Sequence, residues 1–119
     1  MQNIPRALQA DFNRKPMPNK VLMIHGPRRS GKTALVRKFT ENVDPQKSLI
    51  LNGEDVLDTG LLQERSVANY SRLLAGKNLL VVDEEQHIPD IGMILKLMVD
   101  SIDGIRVIAT ASSSFDVHQ

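Results

Sequence analysis

The feature that most constrains this chain is the run Gly26-Pro27-Arg28-Arg29-Ser30-Gly31-Lys32-Thr33, which satisfies G-x-x-x-x-G-K-[ST] in full. From average residue usage, such a match arises by accident in on the order of 0.4% of chains this long, so its flanks are worth reading closely. Before it, Val21-Leu22-Met23-Ile24 is a continuous apolar run, as in a strand buried on both faces. After it, residues 31–41 place Leu35, Val36 and Phe39 on one helical face. Strand, glycine-bearing turn and helix is the context in which this spacing binds phosphate. Gly26 and Gly31 permit backbone dihedrals that a side chain would forbid, so successive N–H groups can face one phosphate. The helix opening near Lys32 adds the positive end of its dipole. Lys32 supplies a point charge for β- and γ-phosphates, and the Thr33 hydroxyl is suited to Mg²⁺. The expected phosphate contacts are Gly26, Pro27, Arg28, Arg29, Ser30, Gly31, Lys32, Thr33 and Ala34. Arg28 and Arg29 occupy variable positions and read as solvent-facing, with the γ-phosphate or a nucleic acid as the alternative. His25 reads as a packing residue rather than a catalyst.

Strand and helix patterns continue to alternate. Ser48-Leu49-Ile50-Leu51 is a second strand, stopped by Asn52-Gly53. Residues 60–75 read as one helix, with Val67, Tyr70 and Leu74 in phase and Gly76 as its stop. Asn78-Leu79-Leu80-Val81-Val82-Asp83 is a third strand. Residues 89–102 put Ile91, Ile94, Leu95, Met98 and Ile102 on one helical face, and Ile105–Thr110 is a fourth strand. Apolar strands separated by helices predict an α/β fold in three layers, a parallel sheet with helices on both faces. Ahead of it, Ile4, Leu8 and Phe12 recur at helical spacing, with Asn3 as a cap and Pro5 in the first turn. The expected organisation is an N-terminal helix over 1–15 and a core over 16–119. The chain stops soon after its fourth strand without a covering helix, so it is expected to be the N-terminal piece of a longer protein, its sheet incomplete at the C-terminus. The phosphate-loop strand would then be an edge open to strand pairing.

The third strand delivers Asp83 and Glu84 at its carboxyl end, where parallel sheets bind ligands. Asp83 is the expected Mg²⁺ ligand beside Thr33, and Glu84 the expected general base for an attacking water. Gln86 could relay the state of the γ-phosphate, and His87 could pair with Glu84 or Glu85. Simple solvation is the competing reading for both. The fourth strand ends Thr110-Ala111-Ser112-Ser113-Ser114. If it lies between the phosphate-loop strand and the acidic strand, its polar end reaches the γ-phosphate and the lytic water. Ser112 is the first choice for that sensor role and Thr110 the second. The expected catalytic set is therefore Lys32, Glu84 and Ser112, with Thr33 and Asp83 on the metal.

Composition removes other chemistries. The 119 residues include no cysteine, which excludes disulfides, thiolate zinc, iron–sulfur clusters and a catalytic thiol. Lys and Arg number 15 against 14 acids, a net charge of +1, so bulk charge calls for neither nucleic acid nor a membrane. Arg14, Lys15, Lys20, Arg28 and Arg29 are the one local basic grouping. Aromatics are only 3%, too few for a stacking platform on single-stranded nucleic acid. No run is long and apolar enough to span a bilayer, and the N-terminus has no signal-peptide apolar region. A cytoplasmic protein is the default reading.

With both motifs placed, the chain resembles a P-loop ATPase of the AAA-type superfamily, in the branch with a catalytic glutamate after the magnesium aspartate. It is similar to a prokaryotic group reading G-P-R-R/Q-x-G-K-T, D-E-I-Q-x-I-P and T-G-S-S-S, matched here by Gly26–Thr33, Asp83–Pro89 and Thr110–Ser114. Ile4-Pro5-Arg6 also resembles that group. Two positions depart from it: Glu85 stands where the group has an apolar residue, and Ala111 replaces a glycine. The resemblance implies ATP and Mg²⁺ as cofactors, a further C-terminal domain of poorly known function, and relatives that form rings, which leaves homo-oligomerisation open. The leading expectation is an ATP-binding and ATP-hydrolysing module that couples nucleotide state to an attached domain or partner. The alternative is a nucleotide-dependent binding scaffold, DNA-associated or not, with little turnover. A small-molecule kinase would need a basic lid, and residues 84–104 offer only Lys96. A GTPase would need N-K-x-D after a later strand, and Asn19-Lys20-Val21-Leu22 has no Asp and precedes the loop.

Overall fold

The computed structural model describes residues 17–27 and 32–112, and of Thr33 the backbone alone. The helix expected over 1–15 lies outside the described residues. Chain order runs β1 (Lys20–Gly26), α1 (Lys32–Thr40), β2 (Ser48–Asn52), α2 (Val56–Gln63), α3 (Val67–Leu73), β3 (Leu79–Asp83), α4 (Ile91–Ser101) and β4 (Arg106–Ser112). The strands form one parallel sheet in the order β1-β4-β3-β2. The strand ending in Ser112 therefore does lie between the phosphate-loop strand and the acidic strand. Among the described residues no helix is long and apolar enough to cross a membrane.

Two layers of helix follow from the period-2 alternation of the strands. On one face Leu22, Ile24, Leu79, Val81 and Ile108 meet Leu35 of α1, with Val36 and Phe39 beside it. On the other, Leu51, Leu80, Val82, Val107 and Ala109 meet Leu62 of α2, Tyr70 and Leu74 around α3, and Ile94, Leu95 and Met98 of α4. β3 is buried from Leu79 to Val82, as a central strand covered on both faces should be. β1 alternates instead, with Leu22 and Ile24 buried and Lys20 and His25 exposed. His25 is therefore not the packing residue the sequence suggests. It sits on β1, which among the described residues is paired on one side only.

The segment expected as one helix over 60–75 is two. α2 begins earlier, because the Asp55 carboxylate caps it by accepting from Leu57 N at 2.8 Å and Asp58 N at 3.3 Å. After Gln63 the chain extends, and Ser66 caps α3 through a bond from Asn69 N at 3.1 Å. Val67, at the first turn of α3, is exposed, while Tyr70 and Leu74 are buried as their phase predicts. The break is closed by side chains. Asn69 Nδ2 donates to the carbonyls of Leu61 and Glu64, each at 2.9 Å. The Tyr70 hydroxyl donates to Leu62 O at 2.7 Å.

Asn19 fixes the entry of β1. It takes a left-handed backbone, φ 59°, as Asn tolerates better than most residues. Its Nδ2 donates to Val99 O at 2.7 Å and Ile102 O at 2.8 Å, and its Oδ1 accepts from Gly104 N at 3.0 Å. The end of α4 and the start of β1 are thus locked together.

Candidate functional site

Parallel strands deliver their carboxyl ends to one edge of the sheet, and here the register pairs those ends closely. Gly26 of β1 lies opposite Ser112 of β4, and Asn52 of β2 opposite Asp83 of β3. Lys32, at the first position of α1, turns back over this edge. Its Nζ donates to Gly26 O at 3.0 Å and Ser112 Oγ at 2.6 Å, with Glu84 Oε2 at 3.8 Å. Lys32 is 6% exposed and Glu84 9%. A buried ammonium or carboxylate is tolerable only with close partners, so the two charges and the hydroxyl between them stabilise one another. The Ser112 hydroxyl accepts from Lys32 and donates to Glu84 Oε2 at 2.9 Å.

Asp83 and Glu84 are consecutive but diverge. Glu84 adopts a left-handed backbone, φ 53° and ψ 51°, which swings the chain off the end of β3. For a residue with a long side chain this costs on the order of 1–3 kcal/mol, and surrounding contacts must hold it. Thr110 supplies one: its hydroxyl accepts from Glu84 N at 3.0 Å and donates to Asp83 Oδ1. The loop after β2 supplies another. Gly53 N donates to Asp83 O at 2.7 Å, and Gly53 lies so close to the turn that a Cβ there would stand 2.1 Å from Glu84 O.

The residues expected to act together are thus brought together where they are described. Lys32, Glu84 and Ser112 form one hydrogen-bonded group, and Thr110 ties Asp83 to the backbone of the same turn. Thr110 is fully buried with its hydroxyl committed to Asp83 and Glu84, so it braces the acids rather than facing a ligand. Of the two sensor choices, Ser112 is the one beside Lys32. Gly26 is buried and contributes its carbonyl, Pro27 is half-buried, and Ala34 is exposed on the first turn of α1. Arg28, Arg29, Ser30 and Gly31, the Thr33 side chain, and Ser113 and Ser114 lie outside the described residues.

Beyond Glu84 the chain makes a 3-10 turn, Glu85–His87. Gln86 is not simply solvated: its Nε2 donates to Glu84 Oε1 at 2.8 Å, and its Oε1 accepts from Ser112 N at 3.4 Å. The His87 imidazole is directed to neither the Glu84 nor the Glu85 carboxylate. Its Nε2 lies 3.6 Å from Glu54 Oε2, on the loop that follows β2. Glu85 is half-buried, and burial pushes its carboxyl above the usual range, partly opposed by His25. The close approach of Gly53 and the Gln86 contacts have no direct signature in the sequence. Both depend on the direction Glu84 takes, and only the Asn52-Gly53 pair at the strand end hinted at a close approach.

Among the described residues no three His, Asp or Glu side chains cluster as a metal cage. Mg²⁺ is usually held by one or two carboxylates together with phosphates and water, and Asp83 is a carboxylate of that kind at the end of β3. A cavity of about 210 Å³ opens beside Asp83, lined by Val36, Arg37, Thr40, Ile50 and Val81.

No curated protein and no solved structure matches the chain. A family model described as an AAA domain does match, over residues 18–119, a span that takes in the whole sheet, Lys32 and the acidic end of β3. The chain belongs to that AAA domain family, whose character is nucleotide binding.

Proposed function

We propose that this domain binds ATP together with Mg²⁺ and hydrolyses its γ-phosphate bond, and that the change of nucleotide state drives an attached domain or partner. The observation that carries the reading is the convergence of Lys32, Glu84 and Ser112 on one hydrogen-bonded group at the carboxyl edge of the sheet. Lys32 and the backbone of the Gly26–Thr33 loop would bind the β- and γ-phosphates. Thr33 and Asp83 would hold Mg²⁺, which when bound offsets phosphate charge and lends electrostatic support to the leaving group. Asp83 is oriented for this by the Thr110 hydroxyl.

The chain's own residues supply the rest. Lys32 Nζ donates to Gly26 O and Ser112 Oγ. A phosphate group is a stronger partner for the ammonium than a hydroxyl, so nucleotide draws Lys32 away from Ser112. That leaves the Ser112 hydroxyl to turn toward the γ-phosphate and frees Oε2 of Glu84 to accept a proton from water. Burial of both groups strengthens these electrostatics relative to open solvent.

The test is a calorimetric titration with ATP and GTP, with and without Mg²⁺, against a Lys32→Ala control whose fold is checked by circular dichroism. Mg²⁺-dependent ATP binding that is lost in the control supports the reading. No ATP binding by the folded native chain overturns it. Hydrolysis is then compared with Glu84→Gln. A second reading, a nucleotide-dependent scaffold, draws on one feature: both Glu84 oxygens are engaged, by Ser112 and by Gln86. Tight ATP binding without turnover would favour it.

A further inference from the structure

The two oxygens of Glu84 are not held alike. Oε2 accepts from the Ser112 hydroxyl, a rotor that is itself shared with Lys32 Nζ. Any ligand that recruits Lys32 loosens that side. Oε1 accepts from Gln86 Nε2 at 2.8 Å, and the other end of the same amide accepts from the backbone N–H of Ser112 at 3.4 Å. Neither of these contacts involves Lys32 Nζ or the Ser112 hydroxyl, the two groups that nucleotide is proposed to engage. One side of the carboxylate is therefore released by nucleotide while the other stays anchored to the end of β4.

We propose that Gln86 is a positioning residue for Glu84: it pins Oε1 to the backbone at Ser112 and so fixes Oε2 as the oxygen that faces the water. The assignment rests on reading Glu84 as the general base. The job requires an amide. It needs a donor toward the carboxylate and an acceptor toward the N–H on one short, planar group, which the carboxamides of Asn and Gln provide. Asn is one methylene too short to span the same gap. Glutamate would set a second negative charge against Glu84, and methionine would keep the volume but remove both the donor and the acceptor. A carboxylate left to rotate would present its oxygens to the water only part of the time, and near-attack geometry is lost steeply with such freedom.

Gln86 is exposed, so its replacement should leave the fold intact, and function can be read separately from stability. The experiment measures single-turnover ATP hydrolysis and Mg-ATP affinity for the native chain, Gln86→Met, Gln86→Glu, Glu84→Gln, and the Glu84→Gln/Gln86→Met double variant. Gln86→Met is expected to slow hydrolysis by about 10–100-fold, by analogy with the loss of a hydrogen bond that orients a metal ligand, with affinity unchanged. Gln86→Glu is expected to slow it at least as much. In the Glu84→Gln background Gln86→Met should have no further effect, because residues acting as a unit are non-additive. Native turnover in Gln86→Met, or the same fractional loss in both backgrounds, overturns the positioning role while leaving Glu84 as base. Native turnover in Glu84→Gln, or no turnover in the native chain, overturns the base assignment and this proposal with it.

Discussion

Glu84 is asked to do two things that oppose each other. It must leave the central strand directly after Asp83, and its carboxylate must point back toward β4 and Lys32. An extended backbone would send consecutive side chains to opposite faces, so the left-handed conformation at φ 53° resolves the conflict. Gly53 makes that turn available, because its missing side chain leaves room for the Glu84 carbonyl. Gly53→Ala would place a Cβ 2.1 Å from that oxygen, against backbone rather than a yielding side chain. The turn must then shift, and the expected result is a loss of about 1–3 kcal/mol in urea unfolding together with weakened nucleotide binding. An unchanged midpoint would mean that the loop after β2 moves freely. Glu85, next along, occupies a half-buried position with its carboxyl pushed above the ordinary value of 4.5. Because the folded state holds this proton more tightly than the unfolded chain, its ionisation opposes folding as pH rises past the unfolded value. The penalty is absent in acid and complete above the raised value. Glu85→Leu should therefore stabilise the chain by a margin that widens as pH rises from 4.5 and then levels. A margin independent of pH in denaturant titrations would sink this account.

At the scale of elements, the core of the site was readable before the structure because it depends on strand order. Once β4 lies between β1 and β3, the polar ends Gly26, Asp83 and Ser112 must share one edge, whatever the details of the loops. The helical pattern over 60–75 misses the earlier start of α2 and the break after Gln63, for a definable reason. Hydrophobic phase alone joins Val67, Tyr70 and Leu74 to the residues before them, and it cannot register a break whose energy comes from capping. Asp55 and Ser66 each open a helix by accepting backbone N–H bonds, and Asn69 and Tyr70 fold the two pieces against each other. The Tyr70 contact can be isolated. Its hydroxyl is fully buried and pairs with Leu62 O, and burial raises its pKa. Tyr70→Phe keeps the ring and strands that carbonyl in the core, at an expected cost of about 1–2 kcal/mol. Ser66→Ala should cost about 1 kcal/mol by removing the α3 cap. Thermal unfolding of both variants checks the order. If Tyr70→Phe melts with the native chain, the α2–α3 junction is held by packing alone.

For the whole molecule, the asymmetry between its two faces sets where motion should concentrate. One face buries Leu51, Leu62, Tyr70, Leu80, Met98 and their neighbours under α2, α3 and α4. The other has α1 as its described cover, a smaller cluster around Leu35, the cavity beside Asp83, and Ile50 left 60% exposed. Within the sheet, β3 and β4 are paired on both sides, whereas β1 and β2 are paired on one side among the described residues. Local opening is cheapest where few apolar contacts are lost and backbone bonds lie near solvent. Amides of β1 and α1 should therefore exchange with solvent faster than those of β4 and β3 in the nucleotide-free chain. The same two elements flank Gly26–Thr33, the proposed phosphate loop, so nucleotide bound there would protect them. At one hundred times its Kd, a nucleotide that binds only the folded form adds about 2.7 kcal/mol. Hydrogen exchange with saturating Mg-ATP should show that gain first in β1 and α1, and the Lys32→Ala chain should show none. Equal protection of β1 and β4 without nucleotide would contradict the asymmetry. A gain spread evenly over α2–α4 would mean that nucleotide is felt through the larger core, and that the thinly covered face is not the part the ligand closes.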